Sequence, residues 1–541
     1  MPRIPCVPFS CLIFSLLAGA VPASAEPPGS SPSTPLFALE SHRSSPPLRG
    51  WLAVENAVEE FSIATRPEVL AANPAVLRFE LPFGPRLEGI RRHFRDYGPE
   101  WKSWSGTLRL AGSSGPGKGY VFFGYHGERI TGVLRFEGER YEITGLGQPQ
   151  RLVRQSHGLA EGVNCGVHPG DEIKPLGSAV DSVAAVGASP ATAQRAPQRI
   201  DVMAVYPMAY FSSPTTQISL VDHVEDTLAQ ANDIFDNSNI NAEYNLVHVG
   251  PIVGTQPSLQ GPQGGLILLN SEPLEIRTLR DAYGADFVTM FVPFSWDDFV
   301  ATHPPCGVAN VPVRNSSGAI DTFTGEGGLL GSNLAVSRKA FTAQRQSCGF
   351  GDFTFPHEMG HNWAMWHRIG SPSGTTLLSP TSFSFYISAV DRNTAMGCQN
   401  AGGSAGTAAV CKRIDHFSDP TARYLGVHPT GSSSKNNSKE ARNRLATYAA
   451  FKPQKAISPP VARFTRFCHR ASRTCGFNAG ATTDNGSITK YYWNFGDGTS
   501  ATTTSPRISH TYGGSGTFFW VHLIATDNSD QRDLAIDSVR F

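Results

Sequence analysis

The chain has 541 residues, and its 45 Lys plus Arg are balanced by 45 Asp plus Glu. At roughly 150 residues per folded unit the length implies three or four units. A zero net charge without a local basic cluster excludes a field that gathers nucleic acid or anionic lipid. Hydrophobic residues at 40% exclude a disordered chain, while 17% charged residues with 54 Gly and 40 Pro point to a loop-rich, extracellular style of protein.

The chain opens with the basic start Met1-Pro2-Arg3, an apolar run from Leu12 to Ala18 and the small-residue stop Ala23-Ser24-Ala25. Residues 1–25 therefore read as a secretory signal peptide cleaved before Glu26. The apolar run is too short to span a bilayer and no later run reaches ~18 apolar residues, so the expected product is exported, with no membrane span. Export makes disulfides expected. Of nine cysteines, Cys6 and Cys11 leave with the signal; Cys165, Cys306, Cys348, Cys398, Cys411, Cys468 and Cys475 remain. Six lie in the second half and can pair as sequence neighbours, which leaves Cys165 as a candidate free thiol.

Residues 26 to about 48 are rich in Pro and Ser and read as a flexible lead-in. From about 50 to 155, runs such as Gly106 to Leu110, Gly119 to Phe123 and Tyr141 to Ile143 are separated by glycine-bearing turns, which predicts an all-β unit. Residues 175–199 are dominated by Ala, Ser, Val, Pro and Gln without a sustained period, the composition of a linker. A maturation cut is expected near its Arg195 and Arg199; a plain interdomain tether is the other reading. The rhythm then changes. Asp201 to Tyr206 is a predicted buried strand, and Ile218, Val221, Val224, Leu228, Ala231 and Phe235 recur at helical spacing. Glu243 to Val249 is a second strand, Leu274 to Tyr283 a short helix and Phe287 to Val292 a third strand. This alternation implies an α/β layer with a mixed, mostly parallel sheet. Ala441, Leu445 and Ala449 mark a closing helix that Pro453 ends.

The segment that carries chemistry is His357-Glu358-Met359-Gly360-His361-Asn362-Trp363-Ala364-Met365-Trp366-His367. On a helix His357 and His361 lie one turn apart on one face, so both imidazoles can reach one metal ion. Glu358 beside the first ligand is placed to hold water as a general base rather than to ligate. On a continuous helix His367 would stand about 15 Å further along the axis, beyond any metal bond, so the helix must stop between them. Three neutral imidazoles leave a fourth position open, the pattern of one catalytic zinc ion. No residue pattern indicates a structural calcium ion. A literal G-x-S-x-G around Ser404 lacks the strand and helix that a serine nucleophile needs, and reads as a small-residue loop.

These residues resemble the metzincin zinc endopeptidases, whose pattern is HExxHxxGxxH followed by a methionine turn, and most nearly the reprolysin-like (adamalysin-type) branch. Arg280 to Val288, Cys306 to Ala309, Phe353 to Asn362 and Arg413 to Pro420 are similar to family segments, so the likeness covers roughly 200–453. The family glycine that turns the chain out of the helix is Ala364 here, and Arg368 stands where many members have Asp. The resemblance implies that Met396, followed by Gly397, lies under the histidines as the turn methionine. It implies that Gly307, Val308 and Ala309 form an edge strand for extended substrate. It also implies that Cys165 is a propeptide thiolate switch that can occupy the open metal position.

At the C-terminus, Tyr492 to Thr499, His510 to Tyr512 and Gly516 to Leu523 resemble the PKD domain, an Ig-like β-sandwich. Phe519, Val521 and Leu523 alternate onto one face, and Gly496-Asp497-Gly498 fits a hairpin turn. Trp493 and Tyr512 read as core, Asp497 as turn chemistry. The combined expectation is a multidomain protein. It comprises signal peptide 1–25, propeptide 26–199 with a β-rich prosegment unit, an α/β metzincin-like catalytic domain 200–453 and a C-terminal all-β Ig-like sandwich 459–541. The expected activity is a secreted zinc metalloendopeptidase made as a zymogen, acting on proteins or peptides, with polymer or matrix binding through the last module. The alternative is a secreted adhesion or matrix-binding protein whose zinc site is structural or inactive.

Overall fold

The computed structural model describes residues 35–44, 57–82, 84–115, 117–145, 149–155, 196–208, 213–254, 261–292, 306–323, 338–346, 352–367, 376–397 and 412–541. Residues 1–25, read as a signal peptide, Cys165, residues 175–195, read as a linker, Cys348, Arg368, Cys398, Ser404 and Cys411 lie outside the described residues.

The first body is a nine-stranded antiparallel sheet: β1 (Phe37–Ser44), β2 (Ala57–Thr65), a short helix α1 (Pro67–Ala71), β3 (Val76–Glu80), β4 (Arg86–Asp96), β5 (Lys102–Leu110), β6 (Gly119–His126), β7 (Arg129–Phe136), β8 (Glu139–Thr144) and β9 (Gln150–Gln155). Its spatial order is β1-β2-β9-β8-β7-β6-β5-β4-β3. The period-2 pattern sends Trp104, Leu108, Val121, Phe123 and Leu134 into a core of their own. The opposite face is covered too: Phe122 and Val133 pack against Ala229 of the next body, which is why β6 reads as a nearly unbroken apolar run. Strand β1 corrects one expectation. Part of the Pro/Ser-rich lead-in pairs with β2, because Leu36 and Phe37 supply buried anchors that composition alone hides.

The second body runs β10 (Gln198–Pro207), α2 (Pro214–Asn237), β11 (Ala242–Ile252), α3 (Gly261–Asn270), α4 (Leu274–Tyr283), β12 (Phe287–Val292), β13 (Gly307–Ala309), β14 (Val311–Arg314), β15 (Ile320–Phe323), β16 (Phe341–Arg345) and α5 (Thr354–Asn362). The two-residue strands β17 (Thr376–Leu377), β18 (Tyr386–Ile387), β19 (Arg392–Asn393), β20 (Arg423–Tyr424) and β21 (His428–Pro429) follow, then α6 (Asn437–Tyr448). The central sheet has the order β11-β10-β12-β16-β13; the first four strands are parallel and β13 is antiparallel at the edge. Alternation along β10 divides the layers. Val202 and Ala204 face α2, α5 and α6, while Met203 and Val205 face α3 and α4. Helix α2 starts at a capping box on Ser213 and Thr216, with Pro214 in its first turn. Arg199 lies near the start of β10, exposed and ion-paired to Asp201 at 2.5 Å, while Arg195 lies outside the described residues.

The third body is a sandwich of a three-stranded sheet, β22 (Thr465–His469), β23 (Thr474–Asn478) and β26 (Arg507–Thr511), on a four-stranded one, β24 (Ile488–Asn494), β25 (Ser500–Thr503), β27 (Phe518–Asp527) and β28 (Arg532–Arg540). Trp493, Val521 and Leu523 are fully buried and Tyr512 nearly so. Cys468 and Cys475 form a disulfide across β22 and β23; Cys306 is also disulfide-bonded, to a partner outside the described residues. The Asp497 side chain accepts from Thr499 and His510, so it is spent on the hairpin turn. The turn between β27 and β28 is fastened to α4. The Tyr283 hydroxyl accepts from the Arg532 backbone N–H at 2.8 Å and donates to the Arg532 carbonyl at 3.1 Å, while the Arg532 guanidinium pairs with Glu275 at 2.6 Å.

Candidate active site

Helix α5 carries His357, Glu358 and His361, all buried. It ends in a Schellman motif: the Met365 N–H donates to the Gly360 carbonyl and the Ala364 N–H to the His361 carbonyl. The motif puts Ala364 at φ 61°, a left-handed conformation in which Cβ crowds the backbone. The reversal brings His367 back over the helix. Its Nε2 lies 3.0 Å from Nε2 of His361 and 2.9 Å from Nε2 of His357. Substituting Ala364→Gly removes the strain and is expected to raise unfolding stability by about 0.5–1 kcal/mol, read as a higher urea midpoint with metal content unchanged.

The outer ring nitrogens fix the tautomers. His357 Nδ1 lies 2.8 Å from the Ala395 carbonyl and His361 Nδ1 2.9 Å from the Met365 carbonyl. A carbonyl only accepts, so each Nδ1 carries the proton and each Nε2 presents a lone pair inward. Lone pairs brought this close are reconciled by a shared cation. Ligands about 2.0–2.1 Å from a tetrahedral zinc stand about 3.3 Å apart, close to the spacing here, so the donor set fits zinc. Burial, the Arg413 guanidinium and the neighbouring imidazoles hold His357 well below its ordinary pKa, in the neutral form a ligand needs.

Glu358 is buried beside the triad, and desolvation pushes its carboxyl up to about 8, opposed by Arg413. Gly307 of β13 backs onto it: a Cβ there would stand 2.5 Å from Glu358 Cγ. Met396 is buried, and its sulfur would meet a Cβ on Gly360 at 2.4 Å, so the glycine lets the methionine pack against α5 from below. Asn362 anchors the C-terminal end of α5 through the Asn310 and Phe341 carbonyls, and Trp363 through the Tyr244 hydroxyl. Gly307, Val308 and Ala309 form the edge strand of the central sheet among the described strands. Cys165 and its relation to the histidines lie outside the described residues.

Sequence reasoning did not single out Gly360, Asn362 or Arg413 for these roles. Gly360, a glycine on a predicted helix, carried a local signal, and Asn362 and Arg413 lie in family-like segments that name no role for them. Arg413 donates to the Gly397 and Asp352 carbonyls, joining the chain after Met396 to the N-terminal end of α5. It lines a cavity together with Arg392, Lys412 and Asp352, which Arg135 and Arg140 of the first body close from the other side.

Comparison with known proteins agrees on two features. Residues 458–540 match the PKD domain family, so the third body is a PKD domain. Two relatives, each named peptidyl-Asp metalloendopeptidase, from Stenotrophomonas maltophilia strains R551-3 and K279a, are each 25% identical over 403 residues, covering 72% of this chain and 85% of theirs. Among solved structures, the PKD1 domain of the Vibrio cholerae metalloprotease PrtV is 25% identical over 15% of this chain and 95% of its own, with a TM-score of 0.14. Metalloproteinase-II from Bacteroides fragilis is 10% identical over 56% and 85%, with a TM-score of 0.30; neither superposition is close enough to place residues. The distant likeness to metalloendopeptidases over most of the chain, joined to a PKD domain, supports a metalloprotease with protein substrates. Among the described residues no helix is long and apolar enough to cross a membrane.

Proposed function

We propose that the chain is a secreted zinc-dependent metalloendopeptidase of metzincin type, nearest the reprolysin-like branch, made as a zymogen with residues 26–199 as propeptide. The observation that carries the reading is the convergence of the His357, His361 and His367 Nε2 atoms, with the buried Glu358 on the same helix as the first two. Bound by these three imidazoles, zinc would supply Lewis acidity toward a scissile carbonyl and an attacking water. Glu358 orients that water, takes its proton as the new C–O bond forms, and delivers the proton to the amine as the C–N bond breaks. Backbone groups of Gly307 to Ala309 hold the substrate as an added strand. Met396 supports the histidines from below without ligating. Cys165 serves as the propeptide thiolate switch, and the PKD domain serves polymer or matrix binding.

The relatives' name specifies Asp, and the reading extends to a preference for an acidic residue beside the scissile bond. Casein digestion by the mature protein with and without a chelator, followed by sequencing of the cut ends, tests the reading. Chelation is expected to abolish digestion, zinc to restore it, and the new ends to be enriched in Asp or Glu. Chelator-insensitive digestion sinks the metal role; random ends sink the acidic preference alone. Gly307→Ala places a methyl against Glu358 and is expected to lower kcat/KM about tenfold or more through kcat, since a misplacement near 1 Å at the reacting groups can cost about 10²-fold. Unchanged turnover would show that Glu358 tolerates displacement.

A further inference from the structure

Most of the polar face of α2 is buried, with Asp222, Asp226 and Asp233 nearly inaccessible and Asp236 exposed at its end. It is covered by strands β4 to β7 of the first body through a row of ion pairs remote from the histidine triad in sequence. Arg129 grips Asp222 with two nitrogens at 2.9 and 3.1 Å; Arg95 pairs with Asp233 at 3.1 Å and Asp236 at 2.6 Å; Ser105 donates to Asp233 at 2.6 Å. Gly124 has no room for a side chain, since a Cβ would stand 1.9 Å from Asp226 Oδ1, so the strand backbone lies directly against the helix.

At the centre is His126. Its Nδ1 lies 3.0 Å from Glu225 Oε2 and its Nε2 3.1 Å from Asp226 Oδ1, with Asp222 at 3.6 Å. Ionised carboxylates only accept, so both ring nitrogens carry protons and the imidazole docks as a cation. The other charged groups around it are Arg129 on β7, Glu100 beside Gly127, and Arg532 and Asp533 of β28 across the cavity that Arg129 and Asp222 line. We propose that the acidic face of α2 is a docking surface for the chain's own β4–β7 sheet, keeping residues 57–155 attached after the connecting chain is cut, and that His126 makes this attachment loosen as pH rises. The inference rests on reading 26–199 as a propeptide.

The sign follows from proton linkage. Burial disfavours the imidazolium, but Asp226, Glu225 and Asp222 outweigh it and push His126 up to about 10. Undocked, the imidazole returns to about 6.5, so its contribution is complete below that pH and is lost as pH rises through about 10. Glu225 and Asp226 are raised by burial in the docked state. Their contribution therefore has the same sign as that of His126 and adds to the loosening as pH rises.

The test uses the full chain carrying Glu358→Gln, with a specific protease site inserted in 175–195, cut once and followed by analytical ultracentrifugation. The pieces are expected to stay together at pH 6.5, with a Kd that rises about tenfold or more by pH 9.5. Adding His126→Gln should weaken attachment at pH 6.5 and flatten the profile. Adding Arg95→Gln should weaken attachment at every pH and leave the slope unaltered. Separation of the unsubstituted pieces at pH 6.5 overturns the docking surface. A Kd that is equal at both pH values, or a His126→Gln profile as steep as the parent's, overturns the switch. The readout is association in a chain that need not turn over, so either failure is distinct from failure of the peptidase reading.

Discussion

Replacing Glu358 by Gln is expected to lower kcat/KM on a protein substrate by about 10³-fold while zinc content and melting temperature stay at parent values. The amide has the shape of the carboxyl and fills the same space against Gly307, so packing in the edge strand is retained. What is lost is the capacity to take a proton from water and return it to the departing amine, a contribution of about 10²–10⁴-fold. Single-turnover kinetics beside metal analysis on one preparation separates the two properties. A Gln variant within tenfold of the parent would remove Glu358 from the mechanism and direct attention to another base.

His367→Ala is expected to empty the metal site. Structural zinc sites with four ligands bind with about 10–16 kcal/mol, roughly 3 kcal/mol per ligand, so loss of one imidazole weakens affinity on the order of 10²-fold or more. The fold around it should persist. The loop carrying His367 is also held by Ser384, whose hydroxyl donates to the His367 backbone carbonyl, and the remaining histidines keep their contacts with the Ala395 and Met365 carbonyls. Dialysis against a competing chelator, then metal analysis and circular dichroism, reads both. A variant that keeps zinc with parent affinity shows that His367 is not a ligand.

The triad was legible because its geometry is short-range. The four-residue step between His357 and His361 fixes a shared face, and ligand reach alone demands a break before His367. The identity of that break was partly legible: Ala364 marks the reversal, yet only the coordinates show the Schellman hydrogen bonds that make it. Gly307 was marked as substrate strand, and its fit against Glu358 was invisible because the contact joins residues 51 apart in sequence. In helix α2 the apolar stripe is legible from its spacing, but nothing in that spacing shows that Asp222, Asp226 and Asp233 are buried under a sheet formed about a hundred residues earlier. Amphipathic spacing reports which side of a helix is apolar, not whether its polar side is covered. Strand β1 was missed for a related reason: Pro and Ser dominate its flanks, and two anchoring side chains do not shift a composition count.

The clasp of Tyr283 and Glu275 on Arg532 makes the terminal sandwich a fixed outrigger rather than a swinging tether. On the proposed peptidase reading, the reach of the histidine triad toward whatever the sandwich would bind is set by this fastened span instead of by the slack of a linker.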